Sequence, residues 1–197
     1  MFIARTALAS LALFSAAPAW AGPVGIQVLS ADGQPLPGAV VTLTLPGTPM
    51  PAAHGPYRVA QRNIAFDPRV LIVPVGAAVS FPNLDRVRHH VYSFSSARRF
   101  DLKLYGRDES RSVTFDKPGA VALGCNIHDS MSGVIYVTAT PYAAVTDGQG
   151  RVSFAGVGAG RGTLLVWHPS IRAKGNAVSQ PAALTGGGLS TVVRLRP

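Results

Sequence analysis

Gly119-Ala120-Val121-Ala122-Leu123-Gly124-Cys125-Asn126-Ile127-His128-Asp129-Ser130-Met131-Ser132-Gly133-Val134-Ile135-Tyr136-Val137-Thr138 is the stretch on which the reading of this chain turns. Its two ends, 120–124 and 134–138, are short runs of apolar and β-branched residues and predict two strands. The segment between them is C-x2-H-x2-M, so a thiol, an imidazole and a thioether fall within seven residues. These are soft to borderline donors, which suit copper better than magnesium, calcium or manganese. Zinc accepts Cys and His but rarely Met, so Met131 is the discriminating residue.

A trigonal site of two His and one Cys with a weak axial Met needs a second imidazole. His54, His89, His90 and His168 are the remaining histidines. Upstream, Val79 to Val91 reads as a strand, a turn and a second strand. Alternation in the second strand places Val87, His89 and Val91 on one face and Arg88, His90 and Tyr92 on the other. The valine-flanked face is the inward one, which selects His89, with His90 as the alternative ligand. Further strands are expected over 70–73, 77–81, 90–94 and 112–115. Pro74-Val75-Gly76 and Lys117-Pro118-Gly119 signal turns. The polar segment 95–111 reads as a long loop, with Asp101, Asp108, Glu109 and Asp116 as solvated charges.

The ends of the chain show a different pattern. Val24–Ser30 and Ala39–Leu45 predict strands on either side of a turn cluster, Asp32 to Gly38. Residues 46–56 are rich in Pro, Gly and Ala and read as a linker that leaves His54 exposed. After Pro141, residues 143–154 read as a strand, an Asp-Gly turn and a strand. Two more strands are expected over 163–168 and 189–195. His168 lies there as a structural or surface residue.

Met1 to Ala21 has the form of a secretory leader: Arg5, an apolar core from Ala7 to Ala17, and Ala19-Trp20-Ala21 as the cleavage signal. Cleavage leaves residues 22–197 in a periplasm or outside the cell. No apolar run of 18 residues follows, which predicts no integral membrane segment after cleavage. Cys125 is the one cysteine in 197 residues, so no internal disulfide forms and a ligand role fits its neighbours. Lys and Arg number 18 against 9 Asp and Glu. They are scattered, without the clustered stripe of a nucleic-acid footprint. The excess instead suits an acidic protein partner or an anionic lipid. None of the hydrolase, zinc-protease, phosphate-loop or dinucleotide fingerprints occurs, so no enzymatic activity is expected.

The stretch Phe81-Pro82-Asn83-Leu84-Asp85-Arg86-Val87-Arg88-His89-His90-Val91 resembles the W-x-N-x-D-x-x-x-H-x-V segment of small bacterial blue-copper proteins. Residues 115–125, F-D-K-P-G-x-x-x-L-x-C, and 125–137, C-x2-H-x2-M-x-G-x-I-x-V, resemble the strand, ligand loop and last strand of that family. The chain thus resembles the plastocyanin-like cupredoxins, of the exported methylamine-utilisation type, over about residues 64–138. Arg88 and His90 depart from the usual neighbours of the first ligand. Residues 32–40, D-G-Q-P-L-P-G-A-V, and 146–166 resemble the two halves of a transthyretin-like, or carboxypeptidase regulatory-like, β-sandwich.

These resemblances imply an all-β chain: a Greek-key cupredoxin sandwich combined with a second small transthyretin-like sandwich. The expected organisation is a leader (1–21), a first sandwich half (22–50), an inserted cupredoxin domain (57–139) and the second half (140–197). The implied function is that of a type 1 copper protein holding one copper ion through His89, Cys125, His128 and Met131. It would pass single electrons between redox partners, with His128 as the electron port. Two alternatives are a periplasmic copper-delivery protein and a non-redox β-sandwich binding module.

Overall fold

The computed structural model describes residues 22–186 and 188–196; the expected leader, 1–21, lies outside them. The chain is all-β. Its strands are β1 (Val24–Leu29), β2 (Val40–Thr44), β3 (Tyr57–Arg58), β4 (Ala60–Arg62), β5 (Ala65–Asp67), β6 (Val70–Pro74), β7 (Ala77–Pro82), β8 (His89–Phe94) and β9 (Arg99–Tyr105). There follow β10 (Ser110–Phe115), β11 (Gly119–Gly124), β12 (Ser132–Thr138), β13 (Tyr142–Val145), β14 (Arg151–Phe154), β15 (Gly160–Trp167), β16 (Ala177–Leu184) and β17 (Leu189–Arg194). Among the described residues the one helical element is a 3-10 turn, Lys174–Asn176, and no helix is long and apolar enough to cross a membrane.

Two sheets, β14-β1-β17 and β13-β2-β15-β16, enclose one apolar core. Strand alternation decides what enters it. Val24, Ile26 and Val28 of β1 face Val41 and Leu43 of β2 and Leu164 and Val166 of β15. The strands after Pro141, β13 and β14, fall in opposite sheets, so the Asp147 turn is a corner between layers and not a hairpin. Asp147 builds that corner by accepting the backbone N–H groups of Gln149 and Arg151, both at 2.8 Å. Gly150 completes it at φ 69°, where a Cβ would meet the Val28 carbonyl at 2.4 Å.

A second pair of sheets, β10-β7-β3 and β6-β12-β11-β8-β9, encloses a second core. It holds Val79, Phe81, Val91, Phe115, Val121 and Ile135, together with Cys125 and Met131. The short β4-β5 hairpin sits beside it, with Gln61 bridged to Asn83.

The other face of several strands builds a third apolar layer. Val134 and Tyr136 of β12, Val70 and Ile72 of β6 and Ala120 of β11 meet Val40 of β2 and Leu165 and Trp167 of β15. Tyr136 and Trp167 pack with ring centroids 5.9 Å apart and their planes tilted by 52°. A strand buried on both faces reads as an unbroken apolar run. Val40 to Leu43 is buried at every position in this way, with Thr42 the one polar residue of the run.

Three expectations are corrected. The segment 95–111 is not one long loop: it contains β9 and the start of β10. Phe100 and Leu102 turn inward while Arg99, Asp101 and Lys103 face solvent, an edge strand whose charged half disguises the alternation. Strands β3, β4, β5 and β16 were also not anticipated, being short or carrying polar and proline residues. Val87 does not share the buried face of β8: it lies in the preceding loop, 44% exposed, and the strand begins at His89.

Candidate metal centre

The site forms where β8 begins and β11 ends. These strands are antiparallel neighbours, with Tyr92 opposite Gly124, so the start of β8 and the residue following β11 lie at the same end of the sheet. Gly124 leaves room for Tyr92: a Cβ would come within 2.7 Å of its ring and displace it. Cys125 follows immediately, and the chain then turns through 126–130, closed by the Met131 N–H donating to the His128 carbonyl at 2.9 Å.

His89, Cys125 and His128 offer ligand atoms that all lie within 4.8 Å of one another, the one such His/Cys/Asp/Glu group among the described residues. The Cys125 sulfur is 4.0 Å from His89 Nδ1 and 3.8 Å from His128 Nδ1. The two imidazole centroids are 4.9 Å apart. His89 is fully buried, Cys125 and Met131 are nearly so, and His128 is half-buried. Burying an imidazole and a thiol without partners is costly. A soft metal ion satisfies all three atoms at once, so the donor set fits the group the sequence implies. Met131 belongs to the same buried cluster as Cys125.

The surrounding hydrogen bonds explain how the loop before His89 keeps its shape. Asn83, fully buried, donates its side-chain amide to the Val87 carbonyl at 2.9 Å and the Tyr105 carbonyl at 3.2 Å. Its side-chain oxygen accepts the Asp85 N–H at 2.9 Å. Tyr105 is buried, which pushes its phenol up, and it donates to the Phe81 carbonyl at 2.8 Å. Asp85 accepts from the backbone N–H groups of Asn63 at 2.7 Å and Ile64 at 2.9 Å, and from His89 Nε2 at 2.8 Å. Burial alone would raise its carboxyl. The Ile64 N–H, the His89 side chain and the Asn63 N–H outweigh that and hold it below the ordinary value. In the sequence Asp85 is a motif position without an assigned role; its place four residues before His89 was the available signal.

The remaining histidines lie elsewhere. His90, the alternative ligand, points to the other face of β8 and pairs with Asp101. That contact, with Lys103 on the same carboxylate, holds the Asp101 carboxyl well below the usual range. His54 is exposed, as expected. His168 is half-buried and bonds to Ser170.

No protein-family model and no curated protein matches this chain. Among solved structures it is similar to a novel purple cupredoxin from Nitrosopumilus maritimus, at 19% identity over 42% of this chain and 100% of that one, with a TM-score of 0.39. It is also similar to an amicyanin mutant in its Cu(I) form, at 20% identity over 50% of this chain and 98% of that one, with a TM-score of 0.40. A reduced amicyanin mutant gives 20% identity, the same coverage and a TM-score of 0.41.

Proposed function

We propose that this chain is an exported type 1 copper protein that carries single electrons and catalyses no reaction of its own. The observation that supports it is the convergence of two imidazole Nδ1 atoms on the buried Cys125 sulfur. His89, Cys125, His128 and Met131 would hold one copper ion, which supplies a Cu(II)/Cu(I) couple. Cys125 would bind as the thiolate, its proton displaced by the metal. The two imidazoles would bind in the neutral form. Met131 would supply a weak thioether donor that tunes the potential. Strand ends and the Asn83 bracing restrict the movement of the donors, which favours fast electron transfer over substrate binding.

His128 is the proposed port, because it is the imidazole of the set that reaches the surface. Ile64, Val87 and Ile127, between 44% and 51% exposed, lie on the three loops around the site and offer an apolar contact for a partner. The basic charge of the chain suits an acidic redox protein. We further propose that residues 57–139 are inserted between two halves of a transthyretin-like unit, 22–50 and 140–197. Support comes from the two separate cores, one drawing on 24–45 and 142–195 and the other on 57–137.

The test is the visible spectrum of residues 22–197 after Cu(II) addition, beside Cys125→Ser. An intense thiolate-to-copper band in the first and none in the second is the expected result. A colourless protein that binds Cu(I) or Zn(II) overturns the electron-carrier reading in favour of delivery or a structural role.

A further inference from the structure

Strand β17 is an open edge of the first core. The Leu189 N–H donates to the Pro23 carbonyl at 3.2 Å, and the Leu195 N–H to the Leu29 carbonyl at 2.9 Å. A parallel ladder turns alternate residues toward the partner strand, so the backbone groups of Ser190, Val192 and Arg194 face away from β1. Among the described residues no strand pairs with β17 on that side. Sheet edges are usually blunted by proline, lysine or a bulge. β16, the edge of the opposite sheet, carries Pro181. β17 carries none of the three. Thr191, Val192 and Val193 give it three β-branched residues in a row, and Val192 is 55% exposed.

The space beside this edge is concave. β16 and β17 belong to different sheets and are joined by a short turn, bridged from Thr185 to Gly188. Away from that turn, a cleft of about 990 Å³ lies between residues 178–180 and residues 193–196. Its floor is Val166, Ile171, Val193 and Leu195, all buried members of the first core. Its mouth carries Arg172, Arg194 and Arg196, all exposed, against one carboxylate, Asp32. The Arg194 guanidinium passes over Gly33, where a Cβ would stand 2.7 Å from it. Among the described residues none of these four charges takes part in an ion pair.

Each feature selects one property of an occupant. The unpaired edge accepts an extended backbone. The apolar floor accepts the side chains of alternate residues, which point the same way along a strand. The three guanidinium groups accept carboxylates. We propose that this cleft docks an extended, acidic peptide segment of a partner protein. The segment adds a strand to β17, seats apolar side chains on the floor and sets its carboxylates among Arg172, Arg194 and Arg196. The buried cluster beneath the cleft holds no metal donor, so the proposal does not rest on the copper reading.

The test is a titration of the nitrogen-15-labelled chain (residues 22–197) with an end-blocked octapeptide that alternates valine and glutamate. Amide shifts should concentrate at residues 178–180 and 192–196, and hydrogen exchange should slow at the Val192 and Arg194 amides. The same peptide with lysine for glutamate should bind about tenfold more weakly. The double variant Arg172→Glu, Arg194→Glu changes exposed positions only and should reverse that preference. Val192→Pro removes an N–H that β1 does not use and should weaken binding of the acidic peptide; if it fails to fold, the charge variant decides. Equal binding of the two peptides, shifts centred on Ile64, Val87 and Ile127, or no shift at about 1 mM peptide overturns the proposal. Protection of the Val192 and Arg194 amides that grows with protein concentration alone also overturns it, because the occupant is then a second copy of this chain.

Discussion

The chain builds two cores by the same rule and uses them differently. Around Val24, Val41 and Leu164, alternating strands close an interior of apolar side chains, and the buried hydroxyls of Thr140 and Thr146 donate to backbone carbonyls. Around Phe81, Val91 and Ile135, the same alternation admits Cys125 and Met131, with His89 beside them. The difference arises at strand ends. In the second core, the residue just past the end of β11 and the first residue of β8 carry donors, and Gly124 leaves room for the Tyr92 ring. Gathering possible metal donors therefore needs no different fold, only donor side chains at positions where two loops meet over a closed core.

The comparison breaks most sharply at Cys125. Cys125→Ser should abolish the copper band. Leu164→Ala, in the apolar core, should leave the band intact while lowering stability by about 2–5 kcal/mol; loss of the band there would show that the cores are not separable. The layer between the cores is the next place to cut. Trp167→Ala removes the aromatic partner of Tyr136 and should cost about 3–5 kcal/mol. If the cores are joined mainly by this layer, denaturant unfolding of the variant should separate into two transitions, where the parent shows one. A single unbroken transition would argue for one cooperative unit.

A smaller effect is expected at Thr146, whose buried hydroxyl donates to the Leu36 carbonyl at 2.7 Å and accepts the Ala39 N–H at 2.9 Å. Thr146→Val orphans both and should destabilise the apolar core by about 1–3 kcal/mol, read from the denaturation midpoint.

Acid should also reach the two regions differently. Burial, and then the nearby Arg69, lower the pKa of His168 below 6.5. The unfolded chain then takes up a proton that the folded chain resists. Stability is full above pH 6.5 and declines as pH falls through the lowered value. Asp85 is likewise lowered from 3.8, so its contribution is full above that pH and declines only in stronger acid. His168→Gln should flatten the first phase of the pH–stability curve and leave the second.

The smallest change is a gain. Ile64→Gly relieves a β-branched residue at φ 56° and should stabilise the metal-site hairpin by about 1 kcal/mol, provided the Asp85 contact survives.

Much of this was legible in the order of residues. Cys125, His128 and Met131 are close in sequence, and a turn between two strands necessarily brings them near one another. Period-two alternation identified the buried face of β8 through His89 and Val91, although Val87, counted with them, lies outside the strand. The edge strand β9 was hidden because one of its faces is charged, and β16 because Gln180 and Pro181 interrupt it. Asp85 was visible as a letter and not as a role, since its other partners, Asn63 and Ile64, lie 22 and 21 residues away.

Local chemistry therefore determined the all-β character and the three donors of the ligand loop, because strand period and turn composition act over a few residues. Pairing across long stretches decided the rest. It set Tyr92 against Gly124, layered Tyr136 on Trp167, and brought a hairpin turn to the carboxylate behind His89. Such contacts depend on which sheet faces are left to be covered once the strands have paired, and that is a property of the assembled fold.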